Sequence, residues 1–317
     1  MDFVRSNIKL DNPGAIKTLD ISPDGNLLAI GQWVRENDTE KSYLKLLSLP
    51  EIDQQPPVEI FRASGELVES ARFTFEGNNL AYITNSKKLV YYHFQSQKNF
   101  ETPPPSPGLA CVIWMSCANN APRLVTSGLM VSVWDIEKLE SIWFYPDYMP
   151  FSGKNPAIAD LTPDGQIVAI AGTDTDRVLI FDIDRQELIK TLDLAPLQAR
   201  WAKYAPDLSY FAVLGSATRG IHIWNYESTQ KHLPKVFDTA GEGFWCCLCF
   251  HPSSKYLAAG TLGGKIYLFR LDNGETVINC KAHQGRVWDL SFTPDGKQLI
   301  SGGSDGSLSI LRLEGHK

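Results

Sequence analysis

Tryptophan recurs close to an arginine or a phenylalanine in the later part of the chain: Arg200 with Trp201, Phe244 with Trp245, and Arg286 with Trp288. Lys17 holds the corresponding place near the start. Side chains of this kind recognise other molecules. A guanidinium offers a rigid fork of N–H donors that fits a carboxylate, and an indole face attracts cations. Trp and Arg are also the residue types most enriched in binding hot spots. Such a set suits an acidic or aromatic peptide segment.

Groups that would break bonds are harder to assemble. No Gly-x-Ser-x-Gly elbow occurs. Ser301-Gly-Gly-Ser-Asp-Gly306 is glycine-rich, but a β-type run follows it where a phosphate cradle needs a helix and a lysine, so it reads as a hairpin turn. The histidines, at 93, 222, 232, 251, 283 and 316, show no metal-ligand spacing. Cys246, Cys247 and Cys249 cluster in an apolar run, with Cys111, Cys117 and Cys280 scattered; all read as small buried hydrophobes in a reducing compartment. No catalytic residue, metal ligand or cofactor site is assigned, and no small-molecule substrate is expected.

The elements that must position these residues come from a repeat. Ser22-Pro-Asp-Gly25, Thr162-Pro-Asp-Gly165, Ala205-Pro-Asp207, His251-Pro-Ser-Ser254 and Thr293-Pro-Asp-Gly296 each separate two β-type runs. Degenerate copies stand at Phe75 to Asn78 and Cys117 to Asn120. The marker positions 23, 75, 117, 163, 206, 252 and 294 are spaced by 52, 42, 46, 43, 46 and 42 residues, and counting from 294 through the C-terminus back to 23 gives 46. Seven units therefore close without remainder, each with four short strand signals. The last copy has three strands before the chain ends, so residues 3–10 are expected to supply its fourth, closing the ring and removing exposed sheet edges. The expected architecture is all-β: a seven-bladed β-propeller of four-stranded antiparallel blades. It forms one domain over 1–317, with blades at about 15–62, 68–104, 110–146, 156–194, 199–238, 243–283 and 286–313 plus 3–10.

Third strands such as Val131-Ser-Val-Trp-Asp-Ile136, Val178-Leu-Ile-Phe-Asp-Ile183 and Ile221-His-Ile-Trp-Asn-Tyr226 stack in register. The Trp134-Asp135 pair, the upstream histidine and the Pro-Asp-Gly turn resemble the WD-repeat family over essentially the whole chain. Non-identical repeats and compact loops look similar to stand-alone prokaryotic propellers. The resemblance implies a polar tetrad of His, Ser or Thr, Asp and Trp bracing each blade. Blade seven keeps His283, Ser301 and Asp305, with Leu311 where Trp would stand; blades three and five keep Trp134 and Trp224 without the histidine. These residues are read as structural. With tetrads lost, blades one to three are expected to be the least regular.

In propellers of this kind, the loops joining strand two to three and strand four to the next strand one share a face with a central funnel. Long insertions fall there: 31–42 in blade one, 102–108, and 145–156, the last expected to expose Tyr145, Tyr148 and Phe151. Aligning the units puts Lys17, Glu69, Cys111, Ala157, Arg200, Cys246 and Trp288 at the rim, with Phe244 and Arg286 two residues upstream of their rim positions; Trp245 reads as core. The expected function is a non-catalytic scaffold that docks a protein or peptide at Lys17, Arg200, Phe244, Arg286, Trp288, Tyr145, Tyr148 and Phe151, inside a larger complex. A propeller enzyme or metal-binding propeller is the alternative, but it needs acids converging at the centre, where Glu69 stands alone. A nucleic-acid reader is disfavoured by the net charge of −6. Met1 to Ser6 lacks a secretory start and no apolar run approaches the ~20 residues of a membrane span, so a cytoplasmic protein without membrane contact is expected.

Overall fold

The computed structural model describes residues 2–10, 14–52, 55–86, 88–102, 112–128, 130–145, 158–172, 176–195, 199–215, 220–226, 235–237 and 244–314. Their strands form seven four-stranded antiparallel sheets, which are the blades of a seven-bladed β-propeller. Six blades use four successive strands. The seventh is completed by Asp2–Lys9, which pairs with Ser307–Glu314 from Asp2 opposite Glu314 to Lys9 opposite Ser307. The expected closure by the N-terminal strand is present, shifted by one residue.

The recurring turn has a specific local chemistry. In blade one, the Ser22 hydroxyl donates to Asp24 Oδ1 at 2.5 Å and accepts the Leu27 N–H at 2.9 Å, while Gly25 N–H closes onto Ser22 O at 2.8 Å. Thr293, Asp295 and Gly296 repeat these bonds in blade seven. Gly25 and Gly296 sit at φ +75° and +71°, the left-handed region that glycine enters without steric cost. These bonds hold the carboxyls of Asp24 and Asp295 below the usual carboxylate range, with the Ser22 and Thr293 hydroxyls contributing most. Leu208 takes the glycine place in blade five at φ +61°, an unfavourable conformation for a branched side chain.

The chain divides into two compact units, residues 1–77 with 242–317, and residues 78–241. In the first, the core between blades one and seven is aliphatic: Ile16, Leu19, Leu28, Ile30 and Leu47 meet Ile300, Leu308 and Ile310. Sealing such residues from water contributes roughly 1.5–3 kcal/mol each. Blade one was expected to be irregular, with a long loop over 31–42. Instead Leu27–Glu36 and Thr39–Ser48 pair without a break from Leu27–Ser48 to Glu36–Thr39, joined by Asn37 and Asp38 at φ 49° and 60°. Two positive φ angles give the tight hairpin turn whose twist matches its strands, and Asn and Asp tolerate them. The supposed insertion is extended sheet.

The second unit packs blade against blade in the same manner. Val125, Val131 and Val133 meet Ala159, Leu161, Val168 and Ile170; Ala202, Phe211 and Trp224 lie against Ala169, Ala171 and Val178. Tyr145, expected to be exposed, is 9% exposed in this core, its ring 5.3 Å from Phe181 and 6.5 Å from Trp143. Its N–H pairs with Val131 O at 2.9 Å, so residue 145 still continues the sheet, and an aromatic there turns inward. Tyr148 and Phe151 lie outside the described residues, as do 103–111 and 146–157.

Candidate partner-binding site

First strands of five blades share an irregularity. Their pairing with the second strand slips between Ile16 and Thr18, Val112 and Trp114, Ala199 and Trp201, Trp245 and Cys247, and Val287 and Asp289. The residue in each gap is the extra one of a β-bulge, a device that re-aims a side chain. Those residues are Lys17, position 113, Arg200, Cys246 and Trp288. The rim alignment had placed four of the five; in blade three it chose Cys111, which lies outside the described residues, whereas the bulge falls at 113. A bulge breaks the two-residue alternation, so two neighbours turn inward together: Thr18 with Leu19, Trp201 with Ala202, Asp289 with Leu290. That doublet was the missed sequence signal.

Within the first unit, the bulges converge. Lys17 Nζ lies 3.3 Å from the centroid of the Trp288 ring and 4.0 Å from that of Trp33. Arg286 Cζ lies 3.8 Å from the Trp288 centroid. Two cations therefore share one indole, each gaining from its negative face. Trp33, which the sequence placed in a loop, is instead on the extended second strand of blade one. Its indole N–H donates to Val68 O at 2.6 Å, which fixes the ring under Lys17. The apolar run Leu27 to Ile30, resumed at Trp33 and Val34 after only Gly31 and Gln32, could have revealed it.

The electrostatics follow from burial. Lys17 falls from the ordinary lysine value to about 8, because burial disfavours its charge and Arg286 repels it, while Glu69 pulls the other way. Burial raises Glu69, opposed by the Lys17 charge. Arg286 Nε and Trp288 Nε1 are both buried and have no hydrogen-bond partner within the protein. An unmatched buried donor costs about 1–3 kcal/mol.

Beneath the rim, a charged staple anchors the strands. Asp289 accepts the Leu19 N–H at 3.1 Å and pairs with Arg72 at 3.1 Å. Arg72 also donates to Thr18 Oγ1 at 2.8 Å and Leu19 O at 3.2 Å. Phe244, the blade-six counterpart of Arg286, is 53% exposed beside Leu262 at 51%; Leu262 N–H bonds Phe244 O at 2.8 Å, as Ser304 N–H bonds Arg286 O at 2.9 Å. Trp245 is core, at 3% exposure. Arg200 is half-buried in the second unit, beside Trp201, whose ring meets Trp114 edge-on at 4.4 Å.

The residues read as structural lie inside blades. A carboxylate can only accept, so His283 Nδ1–H donates to Asp305 Oδ1 at 3.2 Å, leaving Nε2 to accept from the Ser301 hydroxyl at 2.7 Å. Burial keeps His283 below the ordinary histidine value. Trp134, 1% exposed, donates its indole N–H to Thr126 Oγ1 at 3.0 Å, and Asp135 accepts the N–H groups of Glu137 and Lys138 at 3.0 Å. Trp224 is buried, its ring 6.1 Å from His222. Of the cysteines, Cys246 and Cys247 are buried, Cys117, Cys249 and Cys280 half-buried, and these five are free thiols. Among the described residues no three His, Cys, Asp or Glu side chains are placed to hold a metal ion, and no helix is long and apolar enough to cross a membrane.

Comparison with known proteins matches two segments of the chain to a repeat family. The family described as WD domain, G-beta repeat matches residues 235–270 and 274–311. WD repeat-containing protein VIP3 of Arabidopsis thaliana is 25% identical over 60% of this chain, and WD repeat-containing protein SL1-17 of Schistosoma mansoni 27% identical over 64%. The chain covers 62% and 66% of the length of these two relatives, under two thirds of each. Both are eukaryotic, and the prokaryotic style of the repeats has no counterpart in them. One chain of the mitotic checkpoint complex crystal structure superposes with a TM-score of 0.78 at 16% identity, covering 98% of this chain and 91% of that one, which establishes a shared fold.

Proposed function

We propose that this seven-bladed propeller with WD repeats is a non-catalytic interaction scaffold that docks a partner protein or peptide at the rim formed by Lys17, Arg286, Trp288 and Phe244, and works within a larger complex. The observation that carries this reading is the rim cluster itself. Two cations are stacked on one indole, an exposed phenylalanine holds the equivalent place in blade six, and two buried donors in the cluster lack acceptors inside the protein. Arg, Trp and Phe with unmet hydrogen-bonding capacity are the composition of an interface hot spot. The free thiols fit work in the cytoplasm. A chain of the same fold within a checkpoint complex is consistent with assembly as a mode of action.

The test is affinity purification from native lysate with the wild type, Arg286→Glu and Trp288→Ala, after circular dichroism shows that all three are folded. The variants are expected to lose a defined set of proteins that the wild type retains. Equal recovery by all three would remove the rim as the docking site.

A further inference from the structure

The rim cluster specifies more than a hot spot: its unmet chemistry is that of an anion receptor. Arg286 Nε–H and Trp288 Nε1–H are donors without acceptors in the protein. Lys17 adds an ammonium whose charge is opposed by burial and by Arg286. The acid acting on it is Glu69, itself weakened as an acid by burial. Two cations therefore face one reluctant carboxyl, an imbalance that a single added negative charge would relieve. At the equivalent edge of blade six, Phe244 and Leu262 form an exposed apolar shelf.

We propose that this site takes the side-chain carboxylate of an Asp or Glu in an acidic peptide segment, with an adjoining apolar residue resting on Phe244 and Leu262. Resting on the interaction reading above, this names its chemistry. Arg286 Nε–H, Trp288 Nε1–H and the Lys17 ammonium hold the carboxylate, and charge-assisted bonds of this kind are the strong ones. A polyanion fits less well: nucleic acid needs a basic stripe, whereas the protein carries a net charge of −6 and these donors belong to one small cluster.

The probe is an acetylated, amidated peptide with one Asp between two Leu residues. Its counterparts carry Asn or phosphoserine in place of Asp, and a short single-stranded oligonucleotide serves as the nucleic-acid probe. Binding is followed by the indole N–H resonance of Trp288 in nitrogen-15-labelled protein. The Asp peptide should shift that resonance and bind roughly tenfold or more tighter than the Asn peptide, the worth of a charge-assisted hydrogen bond. Trp288→Phe and Arg286→Gln should each remove most of that preference, measured by calorimetry. Affinity should fall as pH rises through about 8, where Lys17 loses its proton, and the fall should move higher in Lys17→Arg. Equal binding of Asp and Asn peptides, no binding of either, or tighter binding of the phosphoserine peptide or oligonucleotide would overturn the proposal. If lysate partners still depend on the rim but the Asp peptide does not displace them, the carboxylate falls and the interaction reading stands. If partner recovery ignores the rim, both fall.

Discussion

Replacing Asp289 by alanine perturbs the staple beneath the rim, and its cost can be worked from the structure. The carboxylate is 5% exposed and stands 3.1 Å from the guanidinium of Arg72, itself 10% exposed. At an effective dielectric of about 20 that separation corresponds to an attraction of roughly 5 kcal/mol. Desolvating both ions consumes much of it, so the intact pair adds little net stability. Removing one partner is different, because Arg72 then loses the carboxylate paired with it and keeps nearby only Asp20, a buried carboxyl that burial pushes toward its neutral form. The expected loss for Asp289→Ala is about 3–5 kcal/mol, with roughly 1 kcal/mol more for the abandoned Leu19 N–H. Arg72→Met alone should be similarly costly, since it strands a carboxylate. Together, Asp289→Ala and Arg72→Met should cost much less than the sum of the singles, with a coupling of about 2–3 kcal/mol. Urea denaturation followed by tryptophan fluorescence and circular dichroism supplies the four stabilities. Additive single effects, with coupling below about 0.5 kcal/mol, would refute the staple.

Two other perturbations read the same physics elsewhere. Burial keeps His283 neutral in the folded protein, so the unfolded chain binds more protons as pH falls below about 6.5, and its contribution is complete above that value and lost below it. Denaturation midpoints should therefore drop more between pH 7.5 and 5.5 in the wild type than in His283→Gln. Asp20, raised by burial to about 6, works in the opposite direction, but it is common to both proteins and cancels in the comparison. In blade three, Thr126→Val keeps the shape but removes the acceptor of the Trp134 indole N–H, and a loss of about 1–3 kcal/mol in chemical denaturation is expected. Adding Trp134→Phe should make the valine substitution nearly neutral.

The repeat was legible because its signals are local. A Ser or Thr hydroxyl, a proline, an aspartate and a glycine act within five residues of one another, as Ser22 to Leu27 shows, so their spacing alone fixed seven units and the pairing of the first strand with the last. Core and rim were harder to separate. Arg286 and Trp288 could be singled out because their types are distinctive, but Trp33 could not, since whether residues 31–42 form a loop or a sheet depends on long-range pairing with Tyr43 and its neighbours. Tyr145 shows the reverse: an aromatic at the mouth of a long segment looks exposed until Trp143 and Phe181 close around it. Sequence by itself determined that the chain forms seven four-stranded blades, the last completed by the first strand, with Arg and Trp on or beside the first strands of several of them. Tertiary structure alone decided which of those residues meet, because a β-bulge turns single side chains out of the alternation and the packing of blade seven against blade one brings Lys17 onto the ring of Trp288.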